Sequence, residues 1–348
     1  MANPILGIIG GGQLGSMLAQ AASKIKIKTV IFSDDPESPA KNFADIFIFG
    51  KYNNEKKIEE FINQVDIVTL EFENIPYQTL NKIKKLKNVQ PDPEIIKVIQ
   101  NRYLEKQFIN SLNIKTTEYK KIKEKKDVKL YKNLIPGILK TTTLGYDGKG
   151  QYKINSGEEI DKLEIDFKNE FVLEKKIDLK KEISVIITRF GKNSFEIYEP
   201  IENLHKDQIL NLSRIPAKVS KELILKSQEW AILISEKLDY IGTLCVEFFI
   251  DKFNNLYVNE IAPRVHNSGH LTINSHNISQ FENHIRAVCR LEKIKILKNY
   301  NAKMINILGQ DIEIYRKKNF KKNDYFYDYL KKEPKEKRKM GHLTTIEN

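Results

Sequence analysis

The segment Leu244–Ile261 places the strongest constraint on how this chain can fold. Two apolar runs flank a polar stretch, DKFNN, and this pattern predicts a β-hairpin. If the turn has four residues, Asp251 pairs with Leu256 and Glu247 faces Glu260 on the neighbouring strand. Directly opposed side chains lie about 5 Å apart at Cβ, so the sequence predicts two carboxylates held side by side.

A bare pair of this kind is unfavourable. At about 5 Å and an effective dielectric constant of about 20, two carboxylates repel by about 3 kcal/mol. A cation between them reverses the sign, and carboxylate oxygens suit Mg²⁺, which usually takes one or two carboxylates and completes its shell with phosphate oxygens. We therefore predict a magnesium site at Glu247 and Glu260, although a one-residue slip in register would remove it.

The residues after the hairpin are polar and closely spaced. Arg264, His266, Asn267, Ser268 and His270 fall within seven positions. A solvated loop is the simplest interpretation of such a run. Its position directly after the paired carboxylates favours a polar substrate pocket instead.

The string NEIAPRVHNSGH resembles the signature of the 5-(carboxyamino)imidazole ribonucleotide synthetase family, which belongs to the ATP-grasp enzymes. Further strings follow the family's order along the chain, namely GGGQLG, TLEFEN, LGYDGKGQ, EKKI, NLH and RKMGH. The resemblance implies a fold of mixed α/β and α+β class. An N-terminal Rossmann-like unit (1–88) would precede two ATP-grasp lobes (89–178 and 179–298) and a small C-terminal cap (299–348).

The N-terminal segment taken alone supports a different enzyme class. Gly10, Gly12 and Gly15 satisfy G-x-G-x-x-G between a predicted strand and a predicted helix, and Asp34 and Asp35 follow about 20 residues later. This pattern is typical of a nicotinamide-dependent oxidoreductase. However, no second nucleotide-binding half follows. The family resemblance instead assigns the glycine segment to the imidazole ribonucleotide site.

A second glycine-rich loop, GYDGKG, follows Lys140 between two predicted strands. Its glycines allow backbone N–H groups to face phosphates, and Lys140 supplies a point charge. The loop is not a Walker A motif, because the GK[ST] ending and the following helix are absent. We also predict a single helix over 91–113, which carries Arg102.

The resemblance implies roles for individual residues. The predicted catalytic residues are Arg264, which would stabilise carboxyphosphate, and Lys140. The predicted ATP-binding residues are Arg102, Lys140, Gly145, Tyr146, Asp147, Gly148, Lys149, Gly150, Gln151, Glu174, Lys175, Lys176, Ile177, Glu182, His205, Asn259 and Glu260. The predicted substrate-binding residues are Gly12, Gln13, Leu14, Glu71, Glu73, Tyr146, Asp147, Lys149, Arg264, His266, Asn267, Ser268, Lys331 and Arg338, with Lys332 as an alternative to Lys331.

Composition narrows the possible partners. The net charge of +12 comes from lysines scattered along the chain, so we predict no nucleic-acid partner. We expect no membrane span, and the two cysteines give no disulfide framework, so we predict a cytoplasmic protein. The predicted ligands are ATP, Mg²⁺, bicarbonate and 5-aminoimidazole ribonucleotide, in a homodimer. The alternatives are an ATP-grasp enzyme with another acceptor (a formate-dependent ribonucleotide transformylase or an acyl-carboxylase), the nicotinamide oxidoreductase, or a non-catalytic nucleotide-binding module.

Overall fold

The computed structural model describes residues 3–143, 150–162 and 164–347. Its strands form three sheets, of five, four and nine strands. No helix in these described ranges has the length and hydrophobicity of a membrane span. The predicted mixed α/β and α+β class is confirmed. The exact boundaries of the four predicted units remain a prediction.

The N-terminal unit is a parallel sheet with strand order β3-β2-β1-β4-β5. Its elements are β1 (Leu6–Ile9), α1 (Gln13–Lys24), β2 (Thr29–Ser33), β3 (Ile46–Phe49), α2 (Glu55–Ile62), β4 (Ile67–Leu70), α3 (Tyr77–Lys84) and β5 (Asn88–Val89). The apolar runs that predicted its strands are largely buried. The glycine segment therefore lies where β1 passes into α1.

The single helix predicted over 91–113 is wrong, because two helices occupy this stretch: α4 (Pro93–Ile99) and α5 (Arg102–Ser111). Asn101 starts the second helix, since its side chain accepts hydrogen bonds from the backbone N–H groups of Tyr103 (3.0 Å) and Leu104 (3.2 Å). The break sets the first turn of α5 against the large sheet, and the backbone N–H of Arg102 donates to the carbonyl of Thr142 (2.8 Å).

The second sheet is antiparallel, with order β6-β9-β7-β8. Its elements are β6 (Tyr119–Ile122), α6 (Lys125–Leu130), β7 (Gly137–Thr141), β8 (Gln151–Ile154), α7 (Gly157–Asp161) and β9 (Phe171–Lys175). Lys140 on β7 pairs with Gln151 on β8. The glycine-loop residues Gly145, Tyr146, Asp147, Gly148 and Lys149 lie outside the described residues.

The nine-stranded sheet has the order β15-β14-β10-β12-β13-β16-β18-β17, with β11 paired to β10. Its elements are β10 (Leu179–Gly191), β11 (Ser194–Ile197), β12 (Ile201–Lys206), β13 (Ile209–Ile215), α8 (Lys221–Lys237), β14 (Gly242–Asp251), β15 (Leu256–Ala262), α9 (Thr272–Ser275), α10 (Gln280–Val288), β16 (Asn301–Leu308), α11 (Ile312–Arg316), β17 (Asp324–Asp328) and β18 (Lys339–Glu347). The charged C-terminal tail thus ends in a strand that pairs on both sides, with β16 and β17.

Candidate active site

The predicted hairpin forms, and it sets Glu247 on β14 opposite Glu260 on β15. The predicted turn is wrong by one residue, because Ile250, not Asp251, pairs with Leu256. The register then shifts between Glu247 and Phe248, which leaves Asn259 as the extra residue of a β-bulge. The bulge restores the predicted pairing, so the two carboxylates lie side by side.

Each carboxylate of this pair already has one cationic or proton-donating neighbour. The Nε2 atom of His266 lies 3.0 Å from Oε1 of Glu247, and a guanidinium nitrogen of Arg102 lies 3.2 Å from Oε2 of Glu260. Burial raises the pKa of the Glu247 carboxyl, but its bond with His266 outweighs burial and lowers this pKa to about 2. Glu247 is therefore a carboxylate at neutral pH, as a metal ligand must be.

A second charged cluster lies between α5 and the two central strands of the four-stranded sheet, β7 and β9. One carboxylate oxygen of Glu174 contacts both the ammonium of Lys140 (3.0 Å) and the ammonium of Lys106 (3.3 Å). The hydroxyl of Thr117 also donates to this oxygen (3.2 Å). Burial raises the pKa of the Glu174 carboxyl, whereas the two lysines lower it to about 2. Two buried lysines therefore share one buried carboxylate.

The predicted catalytic arginine is held by a predicted substrate residue. Arg264 forms a bidentate ion pair with Glu73, in which one guanidinium nitrogen lies 2.9 Å from Oε1. Burial lowers the pKa of the Arg264 guanidinium, but Glu73 raises it above its ordinary value. The paired carboxylate fixes the plane of the guanidinium.

The first glycine segment binds an anion that belongs to the protein itself. The carboxylate of Glu71 accepts hydrogen bonds from the backbone N–H groups of Gly12 (2.6 Å) and Gly15 (2.8 Å) at the start of α1. A Cβ at Gly12 would lie 2.8 Å from a Glu71 oxygen, so this close approach requires glycine. The pattern that indicated a dinucleotide pyrophosphate is therefore a cradle for Glu71.

The C-terminal segment reaches this same region. The ammonium of Lys331 donates to the side-chain oxygen of Gln13 (2.7 Å) and to the carbonyl of Lys339 (2.7 Å). Lys332 instead pairs with Glu37 on the surface. The structure therefore brings Lys331, and not Lys332, to the glycine segment. Arg338 donates to the carbonyl of Glu333 (3.1 Å) within its own segment.

The loop after the hairpin is buried, and its polar groups differ in how they are engaged. His266 contacts Glu247 and the hydroxyl of Ser268, which in turn contacts Ser184 (2.8 Å). Asn267 is 7% exposed, and neither polar atom of its side chain has a hydrogen-bond partner among the described residues. Its amide is therefore available to a ligand.

The remaining predicted nucleotide residues line the junction between the four- and nine-stranded sheets. Glu182 on β10 forms an ion pair with His205 on β12. Burial lowers the pKa of the His205 imidazole, but Glu182 raises it above its ordinary value. The backbone N–H groups of Lys175 and Lys176 donate to the carbonyls of Glu118 and Pro136 (both 2.9 Å), and Ile177 is half-buried beside them.

Two residues of α5 contact the candidate site although we predicted no role for them from the sequence. Lys106 joins Lys140 at Glu174, and the carboxyl group of Glu105 accepts a hydrogen bond from the backbone N–H of Ile261 (2.6 Å). Burial, reinforced by the nearby Glu260, raises the pKa of the Glu105 carboxyl to about 8. The spacing of Arg102 and Lys106, four residues apart on one helix face, was the signal that could have identified Lys106.

This arrangement agrees with the comparisons with known proteins. A model described as the ATP-grasp domain matches residues 107–281, the ribonucleotide synthetase preATP-grasp domain matches residues 3–100, and the phosphoribosylaminoimidazole carboxylase C-terminal domain matches residues 302–348. The chain is therefore an ATP-grasp enzyme with a preATP-grasp domain.

Relatives of full length define the family within that class. The chain is 39% identical to an N5-carboxyaminoimidazole ribonucleotide synthase of Staphylococcus aureus, over 99% of this chain and 92% of the relative. It superposes with a TM-score of 0.95 on an ADP complex of an N5-carboxyaminoimidazole ribonucleotide synthetase, at 36% identity, covering 100% of this chain and 93% of the other. The Aspergillus clavatus enzyme with ADP and 5-aminoimidazole ribonucleotide gives 0.89 at 27% identity, covering 99% and 94%.

The chain belongs to the N5-carboxyaminoimidazole ribonucleotide synthase family. The resemblance drawn from the sequence is thereby confirmed, and the nicotinamide oxidoreductase and the non-catalytic module are excluded.

Proposed function

We propose that the chain catalyses the ATP-dependent carboxylation of 5-aminoimidazole ribonucleotide, with bicarbonate as the source of the carboxyl group. ATP would phosphorylate bicarbonate to carboxyphosphate, and the exocyclic amine of the ribonucleotide would take up the carboxyl group. The products would be the N5-carboxylated ribonucleotide, ADP and phosphate. Family membership supports the ligase activity, the use of ATP and the ribonucleotide acceptor.

The observation that carries this proposal is that the site contains one cluster of carboxylates and one cluster of lysines. Glu247 and Glu260 place two carboxylates together, and Lys106 and Lys140 share the single carboxylate of Glu174. Phosphoryl transfer requires positioning and charge neutralisation more than covalent chemistry by the protein. A magnesium–nucleotide complex carries a cation for the first cluster and phosphates for the second.

The residues of the hairpin fit a magnesium ion. Both donors are carboxylates, the Glu247 carboxyl has a pKa lowered to about 2 by His266 despite burial, and the β-bulge sets Asn259 next to Glu260. Glu247 and Glu260 would hold the ion, which would neutralise charge on the β- and γ-phosphates. The bulge at Asn259 sets Glu247 and Glu260 opposite each other on the two strands.

The ribonucleotide acceptor would bind on the side of Arg264 that faces away from the magnesium ion and ATP. Arg264, fixed by Glu73, would face the anionic carboxyphosphate, and the free amide of Asn267 would contact the ribonucleotide. Lys331 with Gln13 forms the best-supported phosphate contact, because the ammonium already bridges the C-terminal segment and the glycine segment. The roles of the remaining predicted residues stay part of this proposal: Gly12, Leu14, Glu71, His266, Ser268, Arg338 and the glycine-loop residues 145–149.

A homodimer and a cytoplasmic location also belong to the proposal. Cys245 and Cys289 are both buried and unpaired, which suits a reducing compartment. Analytical ultracentrifugation of the purified chain tests the dimer, and a sedimentation coefficient of a 40.5 kDa monomer across the working concentration range would reject it.

The deciding experiment measures phosphate release from ATP and Mg²⁺ with bicarbonate, with and without 5-aminoimidazole ribonucleotide. We expect strong stimulation by the ribonucleotide that disappears when bicarbonate is removed. ATP hydrolysis that does not respond to the ribonucleotide would reject this acceptor. Stimulation that persists without bicarbonate, in buffers purged of carbon dioxide, would reject bicarbonate as the carboxyl source.

A further inference from the structure

The ion pair between Arg264 and Glu73 joins two segments that are distant in the sequence. Glu73 follows β4 of the N-terminal sheet, and Arg264 follows β15 of the nine-stranded sheet, 191 residues further along the chain. Both residues lie in loops, outside the helices and strands. The position of the pair therefore depends on contacts that fix the backbone of each loop.

On the Arg264 side, the side-chain amide of Gln280, the first residue of α10, binds the backbone of His266. The amide oxygen accepts a hydrogen bond from the backbone N–H of His266 (2.9 Å), and the amide nitrogen donates to the carbonyl of the same residue (2.6 Å). Gln280 is fully buried. An amide that pairs with both backbone groups of one residue takes the place of a neighbouring strand, so it fixes the backbone two residues after Arg264.

Contacts with the loop after the hairpin hold Gln280 itself. Its backbone N–H donates to the hydroxyl of Thr272 (3.1 Å), and this hydroxyl donates to the carbonyl of Gly269 (2.6 Å). A Cβ at Gly269 would lie 2.6 Å from both Cδ and Oε1 of Gln280, so a larger residue there would displace the amide. The loop therefore closes around the amide that positions it.

On the Glu73 side, the corresponding group is the side-chain amide of Gln100, which directly follows α4. Its nitrogen donates to the carbonyl of Glu73 (2.6 Å) and to the carbonyl of Ile75 (2.8 Å). An amide nitrogen carries two hydrogens, so both bonds form at once. Gln100 therefore fixes the backbone of Glu73, as Gln280 fixes the backbone next to Arg264.

We propose that Gln100 and Gln280 are positioning residues for Arg264, because their amides fix the two loops whose side chains form the Arg264–Glu73 pair. This inference rests on the proposed role of Arg264, which is to face carboxyphosphate. A guanidinium binds a planar anion through parallel N–H groups, so its plane has to be correct as well as its charge. A displacement of about 1 Å can lower the rate of a reaction by about 100-fold.

The substitutions Gln100→Met and Gln280→Met remove the amides and keep a side chain of similar length. We expect each to lower kcat for ribonucleotide-dependent phosphate release about tenfold. The dissociation constant of ADP should stay within about twofold, because the lysine cluster at Glu174 is untouched. Gln228→Met is the matched control, since this amide also donates to a backbone carbonyl, that of Tyr198 (3.4 Å), which belongs to neither loop. An unchanged kcat in both folded variants would overturn the proposal.

Combination with Arg264→Lys separates positioning from a general loss of structure. An ammonium group has no plane for Glu73 to fix, so in this background Gln280→Met should lower kcat by less than about threefold. A purely structural role predicts instead that the two losses multiply. A further tenfold loss in the double variant would therefore contradict the positioning role.

Nitrogen-15 spectra of arginine-labelled enzyme give a second readout that needs no substrate. The Nε–H of Arg264 donates to Glu73, and Arg264→Lys identifies its signal by removing it. We expect this hydrogen to exchange slowly with water in the wild type, and about tenfold faster in Gln100→Met and in Gln280→Met, because local opening of the pair exposes it. The same exchange rate in the wild type and both variants would overturn the proposal.

The two readouts also separate this inference from the proposed function. If the wild type releases no additional phosphate in response to the ribonucleotide, the proposed function fails, and the exchange rate of the Arg264 Nε–H decides the inference. If Gln280→Met does not fold, Gln100→Met decides by kcat and by exchange, because its amide is only half-buried.

Discussion

Two regions of this enzyme solve opposite problems of charge. At the hairpin, Glu247 and Glu260 face each other and attract a cation. At the central strands of the four-stranded sheet, Lys106 and Lys140 converge on the single carboxylate of Glu174 and attract an anion. Each cluster is only partly compensated within the protein, because Arg102 and His266 contact the two carboxylates and the single carboxylate of Glu174 serves two lysines. We infer that each cluster keeps a charge for a ligand of the opposite sign.

The helix α5 connects these two regions. Arg102 contacts Glu260, Glu105 binds the backbone next to Glu260, and Lys106 contacts Glu174. The same first turns of one helix therefore moderate the acidic cluster and complete the basic one. A nucleotide with its magnesium ion would lie along these first turns, with the ion near Glu260 and the phosphates near Lys106.

The largest effect is expected from breaking the acidic cluster. Glu260→Ala removes one of the two facing carboxylates, and we expect turnover with ATP and bicarbonate to fall by roughly 10³-fold or more, because charge stabilisation by a bound ion is worth several kcal/mol. Phosphate release in the presence of the ribonucleotide measures it. Glu170→Ala, which removes a half-exposed carboxylate paired with Lys121, is the control. Normal turnover in Glu260→Ala would reject the metal assignment.

The basic cluster is tested by Lys106→Met, which keeps the length of the side chain and removes its charge. We expect ATP to bind about 10- to 100-fold more weakly, and adenosine to bind nearly as well as to the wild type, because only the phosphates meet the lost charge. Equilibrium binding to both ligands measures the ratio. Lys121→Met is the control, since this lysine lies on β6 of the four-stranded sheet and forms a partly exposed ion pair with Glu170. Equal weakening for adenosine would indicate a structural role.

Glu71 offers a contrast, because its carboxylate is balanced within the protein by two backbone N–H groups. Glu71→Gln keeps the shape and replaces one acceptor by a donor that faces an N–H group. We expect the free energy of unfolding to fall by about 1 to 2 kcal/mol, and ATP affinity to stay unchanged. Denaturant unfolding and nucleotide titration check the two statements. If Glu71→Gln lost as much ATP affinity as Lys106→Met, Glu71 could no longer be distinguished from the charged clusters that bind the ligand.

Much of this structure could be predicted from the sequence where the signal is local. The alternating and continuous apolar runs placed most strands, and the motif order identified the ATP-grasp class. The pairing of Glu247 with Glu260 was predicted from a turn that is wrong by one residue, and a β-bulge at Asn259 corrected it. Sequence periodicity does not register a bulge, because the strand on either side keeps its alternation.

The rest depends on contacts between distant segments. The glycine pattern around Gly12 is typical of a dinucleotide pyrophosphate site, but the anion that its backbone N–H groups bind is the side chain of Glu71, 59 residues away in the sequence. The helix break before α5 could not be predicted, because a capping asparagine within a helical pattern is a weak signal. Since the start of α5 was not predicted, the role of Lys106 was not predicted either. The charged composition of the C-terminal tail does not by itself indicate a strand, although RKMGH resembles the last strand of the family. The strand β18 is fixed by its partners on both sides, β16 and β17.

The smallest effect concerns a buried histidine that lies away from both charged clusters. His284 on α10 accepts a hydrogen bond at Nδ1 from the backbone N–H of Thr243 (3.0 Å), and its Nε2 contacts the hydroxyl of Thr69 in the N-terminal sheet (2.8 Å). A ring that accepts at Nδ1 must be neutral. Burial accordingly lowers the pKa of the His284 imidazole to about 4.

The sign of the resulting pH dependence follows from where the proton binds. The unfolded chain takes up a proton near pH 6.5 and the folded chain only near pH 4, so the contribution of His284 is full above the higher value and is lost as the pH falls towards the lower one. Between pH 7 and 5.5 we expect it to lower the free energy of unfolding by about 1 kcal/mol. Denaturant unfolding of His284→Gln should show a weaker pH dependence than the wild type over this interval, by that amount. Saturating ATP stabilises the folded chain by binding to it. The difference in pH dependence between the wild type and His284→Gln should nevertheless persist in its presence, because the contacts of His284, with Thr243 and Thr69, belong to neither charged cluster. If ATP abolished this difference, charge excess would no longer distinguish the ligand-binding clusters from the rest of the core.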